Sequence, residues 1–254
     1  MRYRIELAYH GADFHGWQRQ LHLRTVQGEL ELWLSRLLGL QEGIAITGAG
    51  RTDAGVHASG MVAHFDSDLP LDCDRLTLRL HAALPPDLVV TRIVPTQPGF
   101  HARYSATART YEYRCTSRRS PFDRDRLWHV SGPLDLAALE CAAAAVIGIH
   151  DFAGFCIAAS RKQENTCHVT RSSWECAGDL LIYHVRSDRF LHMMVRLLVG
   201  AMMDIGRGRW SPGRMEEILK ARDVRLCSAA APAHGLTLVA VEYPAAAGSG
   251  DDFS

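Results

Sequence analysis

The sequence predicts an α+β fold of two ferredoxin-like halves, each ordered β-α-β-β-α-β, with mainly antiparallel sheets meeting at a central cleft. Three observations lead there. Hydrophobic periodicity switches between strand and helix spacing in the same order twice along the chain. No residue-level repeat accompanies that order, so the doubling rests on the elements alone. The 254 residues, 47% hydrophobic and 22% charged, suffice for two packed units of about 100–150 residues each.

In the first half, Arg2–Tyr9 alternates and reads as a strand. Thr25–Leu40 places Val26, Leu30, Trp33, Leu34, Leu37 and Leu38 on one helical face, with Thr25 as N-cap. Gly43–Thr47 and Gly60–Phe65 read as strands, Asp72–Ala83 as a helix and Leu88–Val94 as a strand. In the second half Thr110–Thr116 is a strand and the Ala-rich Leu134–Ile147 a helix. His168–Cys176 and Leu180–Arg186 flank a hairpin turn at Ala177-Gly178-Asp179. Arg189–Ile205 and Pro212–Ala221 read as helices and Leu236–Tyr243 as the closing strand. The halves divide as 1–104 and 105–244, and 245–254, small and polar, reads as a disordered tail. A junction of two such halves is a favoured place for a ligand site.

No apolar run reaches the roughly 18 residues of a membrane span, and MRYRIELAYHG lacks a signal pattern. Seven cysteines without a C-x-x-C pair argue against a disulfide framework or a thiolate zinc site, so a cytoplasmic location is expected. The thirteen histidines show no H-E-x-x-H, no H-x-H and no i, i+4 pair, so no metal is expected. Formal net charge is zero, yet all basic residues except Lys162 and Lys220 are arginine. GC-rich coding explains that as well as function does. Between Arg103 and Arg126, seven arginines face Glu112, Asp123 and Asp125, with Tyr104, Tyr111, Tyr113 and Phe122 interleaved. Such a mixture suits phosphates and unstacked bases, or else forms a solvated surface stretch.

The densest unusual segment is GAGRTDAGVHASG, Gly48–Gly60. It is no dinucleotide loop, because Asp53 stands where the third glycine belongs and a strand rather than a helix follows. It is no phosphate loop either, since no Gly-Lys-Ser/Thr follows. A tight turn displaying Asp53, with Arg51 and His57 nearby, remains, either catalytic or an ordinary Asp turn. FLHMMVRLLVGAMMDIGRGR is apolar almost all round, yet it carries Arg196, with His192, Val199 and Met203 on the same side. A buried guanidinium needs a partner. Asp204 is off that face, so the alternatives are Asp53 from the other half or backbone carbonyls. Tyr111 and Tyr113 share a strand face, as sheet packing or as a stacking surface for a base.

With these segments in view, the chain resembles the tRNA pseudouridine synthase A family along nearly its whole length. YHGADFHGWQRQ and TVQGELE look like the family's opening, and GAGRTDAGVHASGMVAHF like its catalytic loop. LPPDLVV, FHARYSATARTYEYR, DFAGFC, FLHMMVRLLVGAMMDIGRGRW and APAHGLTLVAVEY follow in the family's order. The resemblance implies the pseudouridine synthase fold of two RRM-like halves. It also implies isomerisation of uridine to pseudouridine at positions 38, 39 and 40 of the tRNA anticodon stem-loop, by a homodimer without metal or organic cofactor. By the same resemblance Asp53 is the essential aspartate, Arg51 its loop companion, Tyr111 the tyrosine beside the target uridine and Arg196 the partner of the aspartate. His57, Arg103 and Arg109 are expected at the substrate, and Arg207 and Arg209 at phosphates. The chain departs from the family at His10, His81, His168 and Met193, which puts secondary contacts in doubt. The alternative is a catalytically silent RNA-binding protein of the same fold; a metal-dependent hydrolase is a more distant one.

Overall fold

The computed structural model of the chain describes residues 1–161 and 163–245. The expected tail therefore lies, apart from Ala245, outside the described residues. Residues 1–104 carry β1 (Arg2–Tyr9), α1 (Val26–Leu38), β2 (Thr47–Gly48), β3 (His57–Asp66), α2 (Cys73–Ala83) and β4 (Leu88–Thr96). Residues 105–244 carry β5 (Ala108–Thr116), β6 (Trp128–His129), α3 (Leu136–Ala144), β7 (Gly148–Asp151), β8 (Thr166–Ala177), β9 (Leu180–Ser187), α4 (Met194–Gly206), α5 (Arg214–Ala221) and β10 (Leu236–Glu242).

Local chemistry sets the helix starts. Thr25 accepts a side-chain hydrogen bond from Gly28 N at 3.2 Å, Asp72 from Arg75 N at 3.0 Å and Asp135 from Ala138 N at 3.0 Å. Each satisfies a backbone donor that the first turn leaves unpaired, worth about 1 kcal/mol. Helix α4 starts five residues later than periodicity predicts, because Met193 takes a left-handed conformation at φ 66 and breaks the turn. The strand expected at Gly43–Thr47 shrinks to Thr47–Gly48, and the short strands β6 and β7 were not anticipated.

Where two sheets were expected, the strands form one, ordered β4-β1-β3-β10-β5-β9-β8-β7, with β2 also on β3 and β6 on β5. Strands from residues 1–104 stand in the order β4-β1-β3-β2, and those from residues 105–244 in the order β10-β5-β9-β8-β7, with β6 on β5. The halves join where β10 runs parallel to β3, pairing Thr237 with His57 and Leu238 with Ala58. On the same strand, β2 pairs Thr47 with His64 and Gly48 with Ala63. Gly60 lies between these pairings, and a Cβ there would fall 2.2 Å from Val239 O, so only glycine lets the backbones approach this closely. The β2–β3 loop consequently emerges at the join.

Two cores pack against the sheet. One packs Leu30, Leu34 and Leu80 on Ile5, Met61 and Phe65; the other packs Leu139, Leu198 and Met202 on Tyr183 and Val185. Burying each such side chain stabilises by about 1.5–3 kcal/mol. Tyr111 packs against both cores.

Candidate active site

The loop that displays Asp53 is fixed from behind by the chain that follows β1. Trp17 N donates to Thr52 O at 3.0 Å and Gly55 N to Phe14 O at 3.3 Å. The Tyr9 and Thr52 hydroxyls lie 2.8 Å apart, hydrogen-bonded in the interior. Gly48 lies against Trp17 so closely that a Cβ would meet the indole at 2.6 Å. Val56 N closes the turn onto Asp53 O at 3.1 Å, leaving the Asp53 side chain to project from a held backbone.

Arg196, in the first turn of α4, reaches the carboxylate from the other half. Its Nη1 donates to Asp53 Oδ2 at 3.2 Å, while Nε donates to Ala231 O at 2.7 Å and Nη1 also contacts Met193 Sδ at 3.1 Å. The two partner sets weighed for Arg196 are thus used together. Asp204 is engaged elsewhere, by Arg209 at 2.8 Å and by the Ser228 hydroxyl at 2.6 Å. The second carboxylate oxygen, Oδ1, lies 3.3 Å from His192 Nε2. Asp53 is 24% exposed, open enough for a ligand, and Arg196 only 16%.

Tyr111 sits beside this pair, its ring edge-on to Phe190 at 5.0 Å. Burial pushes its hydroxyl up to about 12, and the negative charge of Asp53 pushes in the same direction. Arg51, two residues before Asp53, is exposed. The arrangement offers a fixed anionic oxygen pair, a tyrosine ring beside it and an exposed arginine in the same loop.

Two residues expected at the substrate are turned inward instead. His57 accepts from Gly11 N at 2.9 Å through Nδ1 and donates to His234 O at 3.0 Å through Nε2, so neither ring nitrogen is free for a ligand. Burial, and then the neighbouring His10, bring it down to about 4. Arg109 donates to Ala106 O at 3.2 Å, Asp188 O at 2.7 Å, Ala49 O at 3.1 Å and Arg103 O. Burial depresses its ionisation, and the guanidinium ties the Asp53 loop to the link between the halves. Arg103 is exposed over Tyr104.

The arginine run likewise divides. Arg114 pairs with Glu112 at 2.7 Å, whereas Arg118, Arg119 and Arg124 line a groove of about 610 Å³ with Trp128, His129 and His234. Its far wall belongs to the segment 231–234, which also accepts hydrogen bonds from Arg196 (to Ala231 O), Tyr113 (to Pro232 O) and His57 (to His234 O). Arg207 lies 4.0 Å from the Asp204 carboxylate that Arg209 binds. Of the departures, His10 lies against His57 with ring centroids 4.5 Å apart and the rings tilted at 44°, His81 hydrogen-bonds Val90 O, and His168 is exposed.

Sequence reasoning passed over the 231–234 carbonyls and His192. The carbonyls leave no trace in side-chain identity. His192 did leave one, because the helix predicted from the sequence sets it on one face with Arg196.

A family model described as tRNA pseudouridine synthase matches residues 142–244. Proteins named tRNA pseudouridine synthase A match along almost the whole chain. The one from Parabacteroides distasonis is 39% identical over 96% of this chain and 96% of its own length. Those from Moorella thermoacetica and Chloroflexus aurantiacus are 41% and 42% identical, over 94% of this chain and 98% and 87% of theirs.

Proposed function

The chain belongs to the tRNA pseudouridine synthase A family, and from that premise we propose that it isomerises uridine to pseudouridine in the tRNA anticodon stem-loop, at positions 38, 39 and 40. It is an isomerase acting on tRNA. The observation that carries the site is the carboxylate of Asp53, presented on a fixed loop and gripped across the join by Arg196.

In this reading the N1–C1′ bond of the uridine breaks, the base turns within the site and C5 joins C1′; C5 gives up its proton and N1 takes one up, so that product and substrate are isomers. Asp53 acts on the sugar or on the base, as nucleophile or as proton acceptor. Arg196 fixes the carboxylate so that no reorganisation is needed as charge develops. Tyr111 packs on the extruded base, and Arg51 at the rim holds the backbone or occupies the space the base leaves. Arg103 and the groove arginines Arg118, Arg119 and Arg124 take tRNA phosphates, which makes binding salt-dependent. The matching strand orders β4-β1-β3-β2 and β10-β5-β9-β8 support reading each half as a ferredoxin-like unit. No helix among the described residues is long and apolar enough to cross a membrane. All seven cysteines are free, which suits a reducing cytoplasm, and we take the active form to be a homodimer.

The test is tritium release from unmodified tRNA carrying [5-³H]uridine, in EDTA, with the wild type beside Asp53→Asn. Release by the wild type alone is expected. Comparable release by Asp53→Asn overturns the assignment of Asp53, and no release by either, with tRNA still bound, overturns the enzymatic reading.

A further inference from the structure

We infer that His192 is a positioning residue for Asp53, fixed in turn by Ser160, so that the chain Ser160–His192–Asp53 orients the reacting carboxylate from the side opposite Arg196. The inference rests on Asp53 being that carboxylate.

The two contacts fall on different oxygens. Arg196 Nη1 donates to Oδ2 at 3.2 Å, and His192 Nε2 lies 3.3 Å from Oδ1. The terminal torsion of an aspartate is broad and nearly two-fold, so one donor on one oxygen leaves the carboxylate free to swing or exchange its oxygens. Donors of different shape on the two oxygens remove that freedom. Ser160 Oγ lies 2.8 Å from His192 Nδ1, within hydrogen-bond reach of the ring. If the serine hydroxyl donates to Nδ1, Nε2 carries the proton and faces Oδ1 as a donor. If the imidazole is doubly protonated, Nε2 again carries a hydrogen. Only the remaining tautomer would set a bare nitrogen against a carboxylate oxygen, and it is repelled.

The placement fits a role in orientation rather than in stability. The His192 side chain is 48% exposed, and a contact this open adds little to folding. Met193, the residue between His192 and α4, is held at φ 66, a conformation rare for a side chain of its kind. That turn sets His192 just outside the helix whose first turn carries Arg196, and the two side chains converge on one carboxylate. Strain of this sort persists where the surroundings enforce it, and it concentrates at functional sites.

The experiment measures kcat and KM by tritium release for His192→Ala, His192→Gln, Ser160→Ala and the His192→Ala/Ser160→Ala double variant, with Asp53→Asn as reference. Loss of orientation predicts that kcat of His192→Ala falls about tenfold to a hundredfold while KM for tRNA stays within about twofold. Glutamine sets an amide N–H near the place of Nε2 without ionising, so His192→Gln recovers most of the rate. Ser160→Ala lowers kcat less, and the double variant is no slower than His192→Ala, because Ser160 acts through the ring. A rise in KM at unchanged kcat makes His192 an RNA contact and overturns the inference, as does failure of glutamine to restore the rate. Additive losses in the double variant remove Ser160 from the chain. Should Asp53→Asn retain turnover, the reading of Asp53 itself fails; should it be inactive while His192→Ala turns over normally, only the positioning role fails.

Discussion

Replacing Arg109 by methionine separates two accounts of an arginine that sequence placed at the substrate. The structure instead gives its guanidinium four backbone carbonyls, at Ala49, Arg103, Ala106 and Asp188. The bonds to Arg103 O and Asp188 O are exposed, so water replaces them at little cost. Those to Ala49 O and Ala106 O are partly buried, and each carbonyl left unpaired costs about 1–3 kcal/mol. Relief from burying a charge offsets part of this, leaving a net loss of about 2–4 kcal/mol. For a chain of this size each kcal/mol moves Tm by about 2–4 °C, so the midpoint falls by about 5–15 °C. Thermal unfolding gives the first readout and steady-state kinetics below the midpoint the second. Ala49 stands four residues before Asp53, so kcat falls as the loop loosens, while KM for tRNA holds. The dependence of tRNA binding on salt also keeps its slope, whereas a lost phosphate contact would flatten it by about one unit. An unchanged Tm with a raised KM and a flatter salt slope would refute the reasoning and return Arg109 to the phosphates.

Other outcomes follow from the same geometry. Arg196→Met removes the grip on Asp53, and kcat falls about 10²–10³-fold with KM little changed; a rise in KM alone would make Arg196 a phosphate contact. Tyr111 is pushed up to about 12, so its hydroxyl stays protonated across the working range. The pH–rate profile of Tyr111→Phe therefore runs parallel to the wild type between pH 7 and 10, and loss of a limb would show the hydroxyl titrating in the reaction. Gly48→Ala drives a methyl into the Trp17 indole and lowers stability by about 1–3 kcal/mol in urea unfolding; an unmoved midpoint would mean the indole yields freely. His57 and His64 are each held near 4 by burial, against 6.5 in the unfolded chain. Between those values the unfolded state binds protons that the folded state refuses, so stability is flat above pH 6.5 and falls below it. Each histidine removes about 3 kcal/mol by pH 4, and a stability constant from pH 7 to 5 would contradict this.

What the sequence disclosed and what it hid divide along physical lines. Strands and helices were legible wherever a buried face imposed a period, as in β1, whose residues alternate between partly and fully buried along its length. The start of α4 was misjudged because Phe190 and Leu191 continue the apolar pattern although the backbone turns at Met193. The candidate pair Asp53 and Arg196 was legible as an unpaired cation in an apolar helix and a carboxylate in a glycine loop. The inward turn of His57 and Arg109 was not, because their partners are backbone atoms that any residue carries. Gly60 was the available sign of the join between the halves, since glycine inside a strand marks a close approach of another backbone.

That join decides how the site is held. Asp53 and Arg196 lie 143 residues apart, and the two core clusters share residues across the join, Val56 in one and Leu238 in the other. The halves meet through a parallel pairing of two residue couples, together with the carbonyls of 231–234, the guanidinium of Arg109, the Tyr243 hydroxyl on Ala102 O and the buried side chains of Val56 and Leu238. Parting β3 from β10 would bare the side chains that cross the join, Val56 and Leu238 among them, which are fewer than either core holds, so it is expected to require less free energy than unfolding either core. The site is therefore expected to come apart before either core does. Substitutions at the join, Gly60 foremost, should abolish turnover at denaturant concentrations where both cores remain intact. Hydrogen exchange at Thr237 and Leu238 that is no faster than exchange within β1 would show instead that the halves open only together.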